Sequence, residues 1–478
     1  MRIHQALYAL LACLLAFPAL HAAEQQPNVI VILADDMGYA DLTCFGAVDM
    51  STPNLDRMAE QGMRLTNFHT AAPTCTASRA AFMTGCYPVR VGMGDVIAPR
   101  ADGTVSPSRV LWPNSPFGIS ADEVLIPEVL KKVGYATGLV GKWHLGDPPA
   151  FSPVKHGFDE FFGVYFSNDM NPYRYYRNDE LLEEPIDRDQ QTKRYTTEAV
   201  DFIKRHKDGP FFLYLAHTMP HIPLAASPEF RGKSKRGLYG DAVSEVDWSV
   251  GQIFETLKEL GIDDNTLVIF SSDNGGWLLR GEEGGLNTPY RGGKGGTYEG
   301  GLNVPTIAWF PGKVPAGSEC KKLASQMDLL PTFAAIAGGE TPQDRIIDGH
   351  DITPLLYGEQ DAKSPWEAYF YYFGNELHGV RSGKWKFRAK NVLKNENIYY
   401  GLWRDTEVGD TPIPPALYDL SRDIAKTKSV LDQHPNIAKR MRGYMDEARN
   451  DLGDSLTDVK PTNVREIGRQ EVKQDLPK

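Results

Sequence analysis

Residues 28–38 read NVIVILADDMG, and this stretch indicates the fold of the whole chain. After Asn28, residues 29–33 are all apolar and mostly β-branched, a pattern typical of a strand that is buried on both faces of a sheet. Asp35 and Asp36 follow directly. Since ligands of open α/β sheets bind outside the carboxyl ends of the strands, these two carboxylates are candidates for a functional site.

Three further apolar runs resemble the first and also end in polar residues. They lie at residues 136–140, 211–215 and 266–270, and they are followed by Gly141-Lys142-Trp143-His144, Ala216-His217 and Ser271-Ser272-Asp273-Asn274. The stretches between them predict helices at residues 52–61, 77–84, 126–133, 197–205 and 241–260. Strands that alternate with helices predict an α/β fold with a mostly parallel sheet flanked by helices.

A smaller unit is predicted beyond residues 340–365, where the composition changes. A last core helix is expected at 327–337. Short strands in hairpin-like succession are expected at 369–373, 378–381 and 384–388, before a surface helix at 436–452. These patterns indicate a C-terminal α+β unit.

We therefore divide the chain into a catalytic domain at 27–355 and a C-terminal subdomain, an antiparallel sheet plus a helix, at 356–478. Two segments are expected to lack regular structure. They are a long surface loop at 173–191 and a polar, poorly ordered tail after Asp454.

The first 22 residues are predicted to be an export signal. Arg2 precedes an apolar stretch at 6–20 that is too short to span a bilayer, and Ala22-Ala23 offers small residues for cleavage. A lipoprotein modified at Cys13 is the alternative. We expect an exported protein, periplasmic or secreted, without a stable membrane span.

The composition argues against a nucleic-acid-binding protein and against a disulfide-rich one. The 478 residues carry 51 Lys and Arg against 62 Asp and Glu, which gives a net charge of −11. This balance argues against a nucleic-acid surface, although local cations in a cleft can still bind an anionic small substrate. Four cysteines follow the signal, Cys44, Cys75, Cys86 and Cys320. They are too few for a disulfide framework, but one pair could form a bridge.

Cys75 and Arg79 form the most informative pair. The cysteine lies just before a predicted helix and the arginine four residues later, so both side chains point toward one face. The N-terminus of a helix carries partial positive charge and suits an oxyanion. A buried free cysteine beside a surface arginine is the alternative interpretation.

Oxygen ligands at the ends of two strands predict a metal site. They come from Asp35, Asp36, Asp273 and Asn274, and no Cys/His cluster has the spacing of a zinc site. A hard divalent cation is therefore expected, Ca²⁺ first and Mg²⁺ second. Helix capping is the alternative for the first pair, and the second pair argues against it.

Three more side chains suit an anion and proton transfer. Lys142 and His144 are two residues apart, so on an extended segment they point the same way. The lysine can hold an oxyanion, and the imidazole can exchange protons near neutral pH. Lys294 lies in a glycine-rich loop at 291–296, but no Gly-Lys-Ser/Thr motif is present, which argues against nucleotide binding. A solvated lysine and a packed histidine are the alternatives.

The sequence resembles the formylglycine-dependent sulfatases, and among them the arylsulfatase A and N-acetylgalactosamine-6-sulfatase group. Residues 75–85, CTASRAAFMTG, look like the signature in which the cysteine is oxidised to Cα-formylglycine, with Ala77 where proline is commoner. Other family motifs follow in family order: Asp35-Asp36-Met37-Gly38, Thr52-Pro53-Asn54-Leu55-Asp56, Gly141-Lys142-Trp143-His144-Leu145-Gly146, Ser272-Asp273-Asn274-Gly275, Gly293-Lys294 and Tyr298-Glu299-Gly300-Gly301. The implied fold is alkaline-phosphatase-like, and a formylglycine-generating maturation enzyme is an implied partner.

The resemblance implies hydrolysis of sulfate esters by double displacement. One hydroxyl of the hydrated aldehyde made from Cys75 attacks sulfur while a divalent cation binds the sulfate. Arg79, Lys142 and Lys294 hold the sulfate oxygens. The implied metal ligands are Asp35, Asp36, Cys75, Asp273 and Asn274.

Histidines carry the protons in this implied mechanism. His221, in the family pattern His-x-Pro, protonates the leaving alcohol. His144 takes the proton of the second hydroxyl, whose loss expels sulfate. Ser167 matches a serine on the substrate side, and His217 is expected only to pack.

Two other classes of protein share part of this pattern. A phosphatase or phosphonate monoester hydrolase would have an unmodified Ser or Thr nucleophile and histidine ligands for a second metal. A calcium- or glycan-binding module would not need the cations and histidines together.

The substrate is expected to be a sulfated carbohydrate, with a plain aryl sulfate as the alternative. Aromatic and charged residues at 169–191 and 277–290 suit a sugar ring and further sulfates. Packing within the loops is the other interpretation of these residues. His378 in the C-terminal unit is a further candidate for substrate contact.

Overall fold

The computed structural model describes residues 26–99, 105–393 and 411–470. The predicted signal at 1–22, with Cys13, lies outside these residues. The strands are β1 (Asn28–Ala34), β2 (Met63–Leu65), β3 (Phe68–His69), β4 (Val96–Pro99), β5 (Val105–Ser108), β6 (Phe117–Gly118), β7 (Ala136–Lys142), β8 (Glu160–Val164), β9 (Tyr175–Arg177), β10 (Glu180–Glu183), β11 (Phe211–Ala216), β12 (Thr266–Ser272), β13 (Ile307–Trp309), β14 (Ser318–Cys320), β15 (Ala324–Ser325), β16 (Tyr369–Phe373), β17 (Glu376–Ser382), β18 (Trp385–Arg388), β19 (Asn391–Leu393), β20 (Thr411–Ile413), β21 (Ala416–Asp419) and β22 (Gly468–Arg469). The α-helices are α1 (Pro53–Gln61), α2 (Cys75–Thr84), α3 (Ile126–Lys131), α4 (Gln191–His206), α5 (Gly237–Leu260), α6 (Glu299–Leu302), α7 (Leu329–Ile336), α8 (Thr353–Leu356) and α9 (Pro435–Leu452).

The largest sheet has ten strands in the order β10-β9-β8-β7-β11-β1-β12-β13-β2-β14. Its central strands β8, β7, β11, β1 and β12 are parallel. All seven residues of β1 are buried between β11 and β12. The prediction of an interior strand at 28–33 in a mostly parallel sheet is confirmed.

Consecutive residues of β1 point to opposite faces of the sheet, so each face presents apolar side chains. Helices cover both faces. Val31 and Leu33 pack in one core with residues of α2, α3 and α7. Ile30 and Ile32 pack in a second core with residues of α1, α4 and α5. Truncating one of these fully buried side chains to alanine would cost roughly 2–5 kcal/mol.

A second, antiparallel sheet has the order β16-β17-β18-β21. Met441 and Met445 of α9 pack in one core with residues of this sheet. Tyr87, which follows α2, belongs to the same core. The small C-terminal α+β unit expected from the sequence is therefore present, and its boundary at 355 stays a prediction.

A buried group of charges lies between the two sheets, and we call it the Glu299 cluster. The Glu299 carboxylate lies 2.5 Å from Nε2 of His69, 2.8 Å from Nζ of Lys386, 3.4 Å from Nζ of Lys426 and 3.5 Å from Nη1 of Arg381. The Glu299 carboxylate thus pairs with His69 from the part of the chain before residue 355 and with three cationic side chains from the C-terminal part. Losing it would leave buried ammonium groups unpaired, which is strongly destabilising.

Two predictions of irregular structure were wrong. The expected surface loop at 173–191 contains the hairpin β9–β10, which extends the large sheet at its edge. The tail after Asp454, expected to be poorly ordered, is held at residues 455–470, because Arg465 donates its backbone amide to the Arg90 carbonyl and β22 pairs with β6. We call residues 455–470 the C-terminal strap.

The four cysteines in the described residues, Cys44, Cys75, Cys86 and Cys320, are all free. The bridge that the sequence left open is therefore not formed. None of the described helices is long and apolar enough to cross a membrane.

Candidate active site

Acidic residues meet at the carboxyl edge of the large sheet, where β1 and β12 end side by side. The register pairs Ala34 with Ser272, so the residues after these two strands become neighbours. The backbone amide of Asp36 donates to Oδ1 of Asp273 at 3.1 Å, and the amide of Asp273 donates to the carbonyl of Ala34 at 3.0 Å. Asp35 and Asp36 thus lie against Asp273, as the sequence predicted.

Cys75 is the first residue of α2, which points its N-terminus at these carboxylates. The helix is buried along its whole length, and Cys75 is 1% exposed. Its Sγ lies 3.4 Å from Oδ1 of Asp35. The predicted nucleophile position and the predicted metal-binding acids therefore belong to one site.

Arg79 lies one turn further along α2 and donates only to groups of the protein. Its Nε and Nη2 donate to Oδ2 of Asp273, at 3.1 and 2.9 Å. Its Nη1 donates to the carbonyl of Lys142 at 3.0 Å and to the hydroxyl of Tyr214 at 3.1 Å. The guanidinium thus fixes a carboxylate and the end of β7 relative to α2.

Two lysines pair with the two carboxylates that follow β1. Nζ of Lys142 lies 2.6 Å from Oδ2 of Asp35, and Nζ of Lys294 lies 2.7 Å from Oδ2 of Asp36. Nε2 of His221 lies 3.5 Å from the same oxygen of Asp36. All five residues are buried, so these charges act on one another with little screening by water.

Burial and neighbouring charges set the protonation of the site. Burial, reinforced by the Asp273 carboxylate, raises the pKa of the Cys75 thiol well above its usual range. Burial and the charge of Asp35 raise the pKa of Asp273 to about 7. Burial would also raise the pKa of Asp35, but the nearby cations, Lys142 foremost, hold it well below its usual range. Burial lowers the pKa of His221. A protonated thiol and a neutral imidazole follow.

The donor set fits a hard divalent cation. Ligand atoms of Asp35, Asp36, Cys75 and His221 all lie within 4.8 Å of one another. Asn274 donates from Nδ2 to Asp36 at 2.7 Å, while its buried Oδ1 has no hydrogen-bond partner in the described part of the chain. A carbonyl-type oxygen beside carboxylates is a ligand set that Ca²⁺ and Mg²⁺ prefer.

His221 is held with one ring nitrogen toward the site. Its Nδ1 lies 2.5 Å from the Ile222 carbonyl, which accepts from it, and this leaves Nε2 facing Asp36. The Trp277 ring lies 5.7 Å from the imidazole, centroid to centroid, and Nζ of Lys294 lies 4.3 Å from the centre of the same Trp277 ring. Trp277 therefore borders both the candidate acid and a candidate sulfate-binding lysine.

His144 lies at the margin of this group, in the left-handed region at φ +63°. Its Nε2 lies 3.0 Å from the Leu111 carbonyl, and its ring packs edge-on against Phe166 at 5.8 Å. Nδ1 has no hydrogen-bond partner among the described residues. Burial lowers the pKa of His144 well below its usual range. The ring is thus a neutral imidazole with a free acceptor nitrogen.

Ser167 and His217 are buried without contacts to the acids. The hydroxyl of Ser167 and both ring nitrogens of His217 lack hydrogen-bond partners within the described ranges. Between these two segments, Nδ2 of Asn168 donates to the carbonyls of Thr218 and His221, each at 3.2 Å. Asn168 thereby ties the end of β8 to the loop that carries His221.

The structure brings most of the predicted site residues into one cluster: Asp35, Asp36, Cys75, Arg79, Lys142, His221, Asp273, Asn274 and Lys294. His144 and Ser167 lie beside it. Sequence reasoning missed Tyr214 and Asn168. A tyrosine inside an apolar strand gives the pattern of a core residue, and an isolated asparagine gives no pattern at all.

Comparisons with family models and known proteins give the following matches. The family model named Sulfatase matches residues 27–339, and the model of the N-sulphoglucosamine sulphohydrolase C-terminal region matches residues 293–451. N-acetylgalactosamine-6-sulfatase of Mus musculus is 44% identical over 383 residues, which cover 76% of this chain and 72% of that protein. Human arylsulfatase A is 37% identical over 452 residues, covering 87% and 86% of the two chains.

The solved structures include a glycan complex. The crystal structure of Ps i-CgsB in complex with k-i-k-neocarrahexaose matches with a TM-score of 0.73 and 31% identity, covering 88% of this chain and 92% of that one. The predicted alkaline-phosphatase-like fold, a mostly parallel sheet flanked by helices with a smaller C-terminal α+β domain, is confirmed.

Proposed function

This chain belongs to the sulfatase family and is a sulfuric ester hydrolase, and we propose that it desulfates a sulfated carbohydrate through a formylglycine at position 75. The observation that carries the proposal is the position of Cys75, at the start of a buried helix and 3.4 Å from a carboxylate oxygen of Asp35. Three carboxylates and three cationic side chains surround it.

We assign the divalent cation to the oxygen ligands at the two strand ends, with Ca²⁺ as the first choice and Mg²⁺ as the second. The residues that would hold it are Asp35, Asp36, Asp273 and Asn274, together with the side chain at position 75. When bound, such a cation lowers the pKa of a hydroxyl ligand and polarises the S–O bonds of sulfate.

We propose that Cys75 is oxidised to formylglycine by a maturation enzyme. The hydrated aldehyde supplies two hydroxyls on one carbon, one to attack sulfur and one whose deprotonation expels sulfate. The protein orients the hydrated aldehyde, because α2 and the carboxylate of Asp35 fix the position of residue 75 before substrate binds.

The cations divide into two roles in this proposal. Arg79 positions Asp273 through Nε and Nη2, and it also holds a sulfate oxygen, since Nη2 has a second N–H beyond the one that Asp273 accepts. Lys142 and Lys294 bind the sulfate oxygens, because each ammonium borders the site and carries further N–H donors beyond its contact with Asp35 or Asp36.

The histidines move the protons. His221 acts as the acid in its imidazolium form, in which Nδ1–H donates to the Ile222 carbonyl and the second proton, on Nε2, passes to the leaving alcohol. Burial opposes this form, and the carboxylates of Asp36 and Asp35 favour it. Nδ1 of His144 accepts the proton of the second hydroxyl at position 75, since the Leu111 carbonyl occupies the other nitrogen.

A sulfated carbohydrate is the substrate class that relatives support. One relative is named N-acetylgalactosamine-6-sulfatase, and one similar structure holds neocarrahexaose. Trp277 and Arg280 lie close together on the loop beside His221, with the guanidinium carbon 4.1 Å from the centre of the buried ring. Arg280 is exposed, and its guanidinium suits a sulfate or hydroxyl group of a sugar. Ser167 is assigned to the substrate side of the site. An aryl sulfate is the second candidate.

A substrate comparison tests the proposal. The purified protein is assayed with 4-nitrophenyl sulfate and 4-nitrophenyl phosphate, and then with defined sulfated sugars such as N-acetylgalactosamine 6-sulfate and galactose 4-sulfate. Sulfate release with little phosphate release, and higher kcat/KM for a sugar than for the aryl ester, is the expected result. Preference for the phosphate ester would overturn the assignment.

The remaining assignments concern processing and organisation. We propose that residues 1–22 are an export signal, so that the enzyme works in the periplasm or outside the cell. We also propose the catalytic domain at 27–355 and the subdomain at 356–478 as the two folding units.

A further inference from the structure

A cavity of about 740 Å³ opens at the carboxyl ends of β7 and β8, beside the site described above. Its size falls in the range of small-molecule sites, roughly 300–1,000 Å³. Polar side chains line it from four separate segments: Asn114, Asp147, Lys155, Arg174, Tyr176 and Gln470. None of them belongs to the cluster of predicted site residues around Cys75.

His144 forms the link between the cavity and the catalytic group. Its backbone amide donates to the carbonyl of Tyr165 at 2.8 Å, and its ring packs on Phe166. Tyr165 and Phe166 both line the cavity. A substrate whose sulfate lies near His144 therefore has this cavity as the adjoining space at the same edge of the sheet.

The charges in the cavity favour an anionic occupant. Lys155 is exposed and forms no ion pair among the described residues, so its ammonium is available to a ligand. Arg174 uses Nε to bind Glu184 at 2.6 Å, and its side chain is 34% exposed. The acid that faces them is Asp147, and burial raises the pKa of its carboxyl to about 7, so its negative charge is partial at neutral pH.

The aromatic side chains favour a sugar ring. Tyr176 is half-buried and held edge-to-face against Tyr165, with ring centroids 4.8 Å apart. A tyrosine fixed in this way offers a rigid apolar surface and a polar tip. The amides of Asn114 and Gln470, which also line the cavity, are donors and acceptors for hydroxyl groups.

We propose that this cavity is a subsite for the neighbouring anionic sugar of a sulfated oligosaccharide, with Lys155 and Arg174 pairing with its sulfate or carboxylate and Tyr176 packing on its ring. The inference rests on the proposed function. It adds that the enzyme recognises at least two residues of the glycan, and that the C-terminal strap, through Gln470, contributes to this recognition.

The test compares a single sugar with the same sugar in a longer chain. N-acetylgalactosamine 6-sulfate and galactose 4-sulfate are each assayed alone and joined to a uronate or a second sulfated sugar. Wild-type enzyme should prefer the longer substrate. Lys155→Ala and Arg174→Ala should each lower the ratio of the two kcat/KM values about tenfold, the worth of one charge-assisted hydrogen bond.

Two control variants lie on the same hairpin. Glu184→Gln removes the ion-pair partner of Arg174 and keeps the arginine, and Arg177→Ala removes an arginine that pairs with Glu198 outside the cavity. Both should keep the wild-type ratio. Added salt should reduce the preference of the wild-type enzyme more than that of the Lys155 variant, in which only the Arg174 pair remains to be screened.

Three other outcomes are possible, and each would overturn a different part of the proposals. Enzyme that hydrolyses 4-nitrophenyl sulfate and single sugars, but whose ratio is unchanged in both alanine variants, overturns the subsite alone. Hydrolysis of the aryl sulfate and of none of the sugars overturns the subsite and the carbohydrate substrate. Absence of sulfatase activity toward every ester overturns the proposed function itself.

Discussion

Arg79 holds Asp273 with two nitrogens on one oxygen, since both Nε and Nη2 donate to Oδ2. The third nitrogen is engaged by the Lys142 carbonyl and the Tyr214 hydroxyl. An arginine with all three nitrogens so engaged acts as a brace between four elements, α2, β7, β11 and the end of β12. We propose that it contributes to catalysis by holding the carboxylate and the lysine in place.

Arg79→Lys should therefore lower kcat roughly 100-fold, the effect of misplacing a catalytic group by about 1 Å. A lysine keeps the charge but cannot reach Asp273, the Lys142 carbonyl and Tyr214 at the same time. Tyr214→Phe, which removes only one of these bonds, should change kcat less than about tenfold. Steady-state kinetics with 4-nitrophenyl sulfate measure both variants, and full kcat in the lysine variant would contradict the bracing role.

Removal of the metal should abolish turnover. Dialysis against a chelator should give inactive protein, and adding back Ca²⁺ or Mg²⁺ should restore it and identify the preferred ion. Asp273→Asn keeps the shape of the side chain but loses its charge, so metal content and kcat should both fall at least roughly 100-fold.

The matched control is Asp247→Asn. Asp247 is also a buried acid, but its carboxylate accepts hydrogen bonds from the backbone amides of Asn54 and Leu55 at the start of α1. This variant should lose about 1 kcal/mol of stability and keep its metal. Elemental analysis measures metal per chain, and full activity of Asp273→Asn without bound metal would rule out the assigned site.

Activity should follow the fraction of chains in which Cys75 has become an aldehyde. Burial keeps the thiol protonated, and a thiol has no second hydroxyl with which to expel sulfate. Cys75→Ala should be inactive, and Cys75→Ser should be inactive unless the host converts serine. Mass spectrometry of the peptide and labelling with a hydrazide measure the aldehyde, and a fully active sample with unmodified cysteine would refute the mechanism.

His221→Ala should slow esters of poor leaving groups far more than esters of acidic phenols, because only the former need a proton from Nε2. His217→Ala, in the same loop, should affect both kinds of ester alike and only weakly. A plot of log kcat/KM against the pKa of the leaving group measures the difference. Equal slopes for wild type and His221→Ala would assign the acid to another residue.

The Glu299 cluster should make stability depend on pH. Burial lowers the pKa of His69 to about 4, although Glu299 opposes the shift. The unfolded chain binds this proton near pH 6.5, so the contribution is complete above that pH and is lost as pH falls toward 4. The loss amounts to about 3 kcal/mol.

In His69→Gln, the free energy of unfolding should therefore fall less between pH 7 and pH 4 than in wild type, by about that amount. Urea unfolding at each pH gives the comparison. His350→Gln, at an exposed position, controls for the loss of a histidine. The same pH slope in wild type and His69→Gln would show that His69 does not carry the effect.

The elements that sequence reasoning predicted well are those buried on both faces. The run at 28–33 and the two acids that follow it predicted the central strand and half of the candidate metal site, because a strand buried on both faces is apolar over nearly all of its length. Cys75 and Arg79 were predicted together since helical spacing is fixed.

The elements that it missed depend on contacts distant in the chain. The strands β9 and β10 lie at a sheet edge, where exposed faces carry charged residues such as Glu180 and Arg177, so their pattern is that of a loop. The C-terminal strap is polar and is held by partners distant in the chain, among them Arg90, Glu123 and β6. The role of Arg79 as a brace also follows from Tyr214 and the Lys142 carbonyl, which no spacing reveals.

The burial of Cys75 determines when, during synthesis and folding, its thiol is accessible. The carbonyl of Arg109 accepts from the Thr74 hydroxyl and the amide of Leu111 donates to the Thr76 hydroxyl, so residues 109–111 close over the start of α2. The segment that follows them leads into β6, and β6 is held by β22, which lies far later in the chain. Under the proposed maturation, an enzyme could therefore reach the Cys75 thiol before β22 has been made and paired with β6, and the folded chain would no longer expose it.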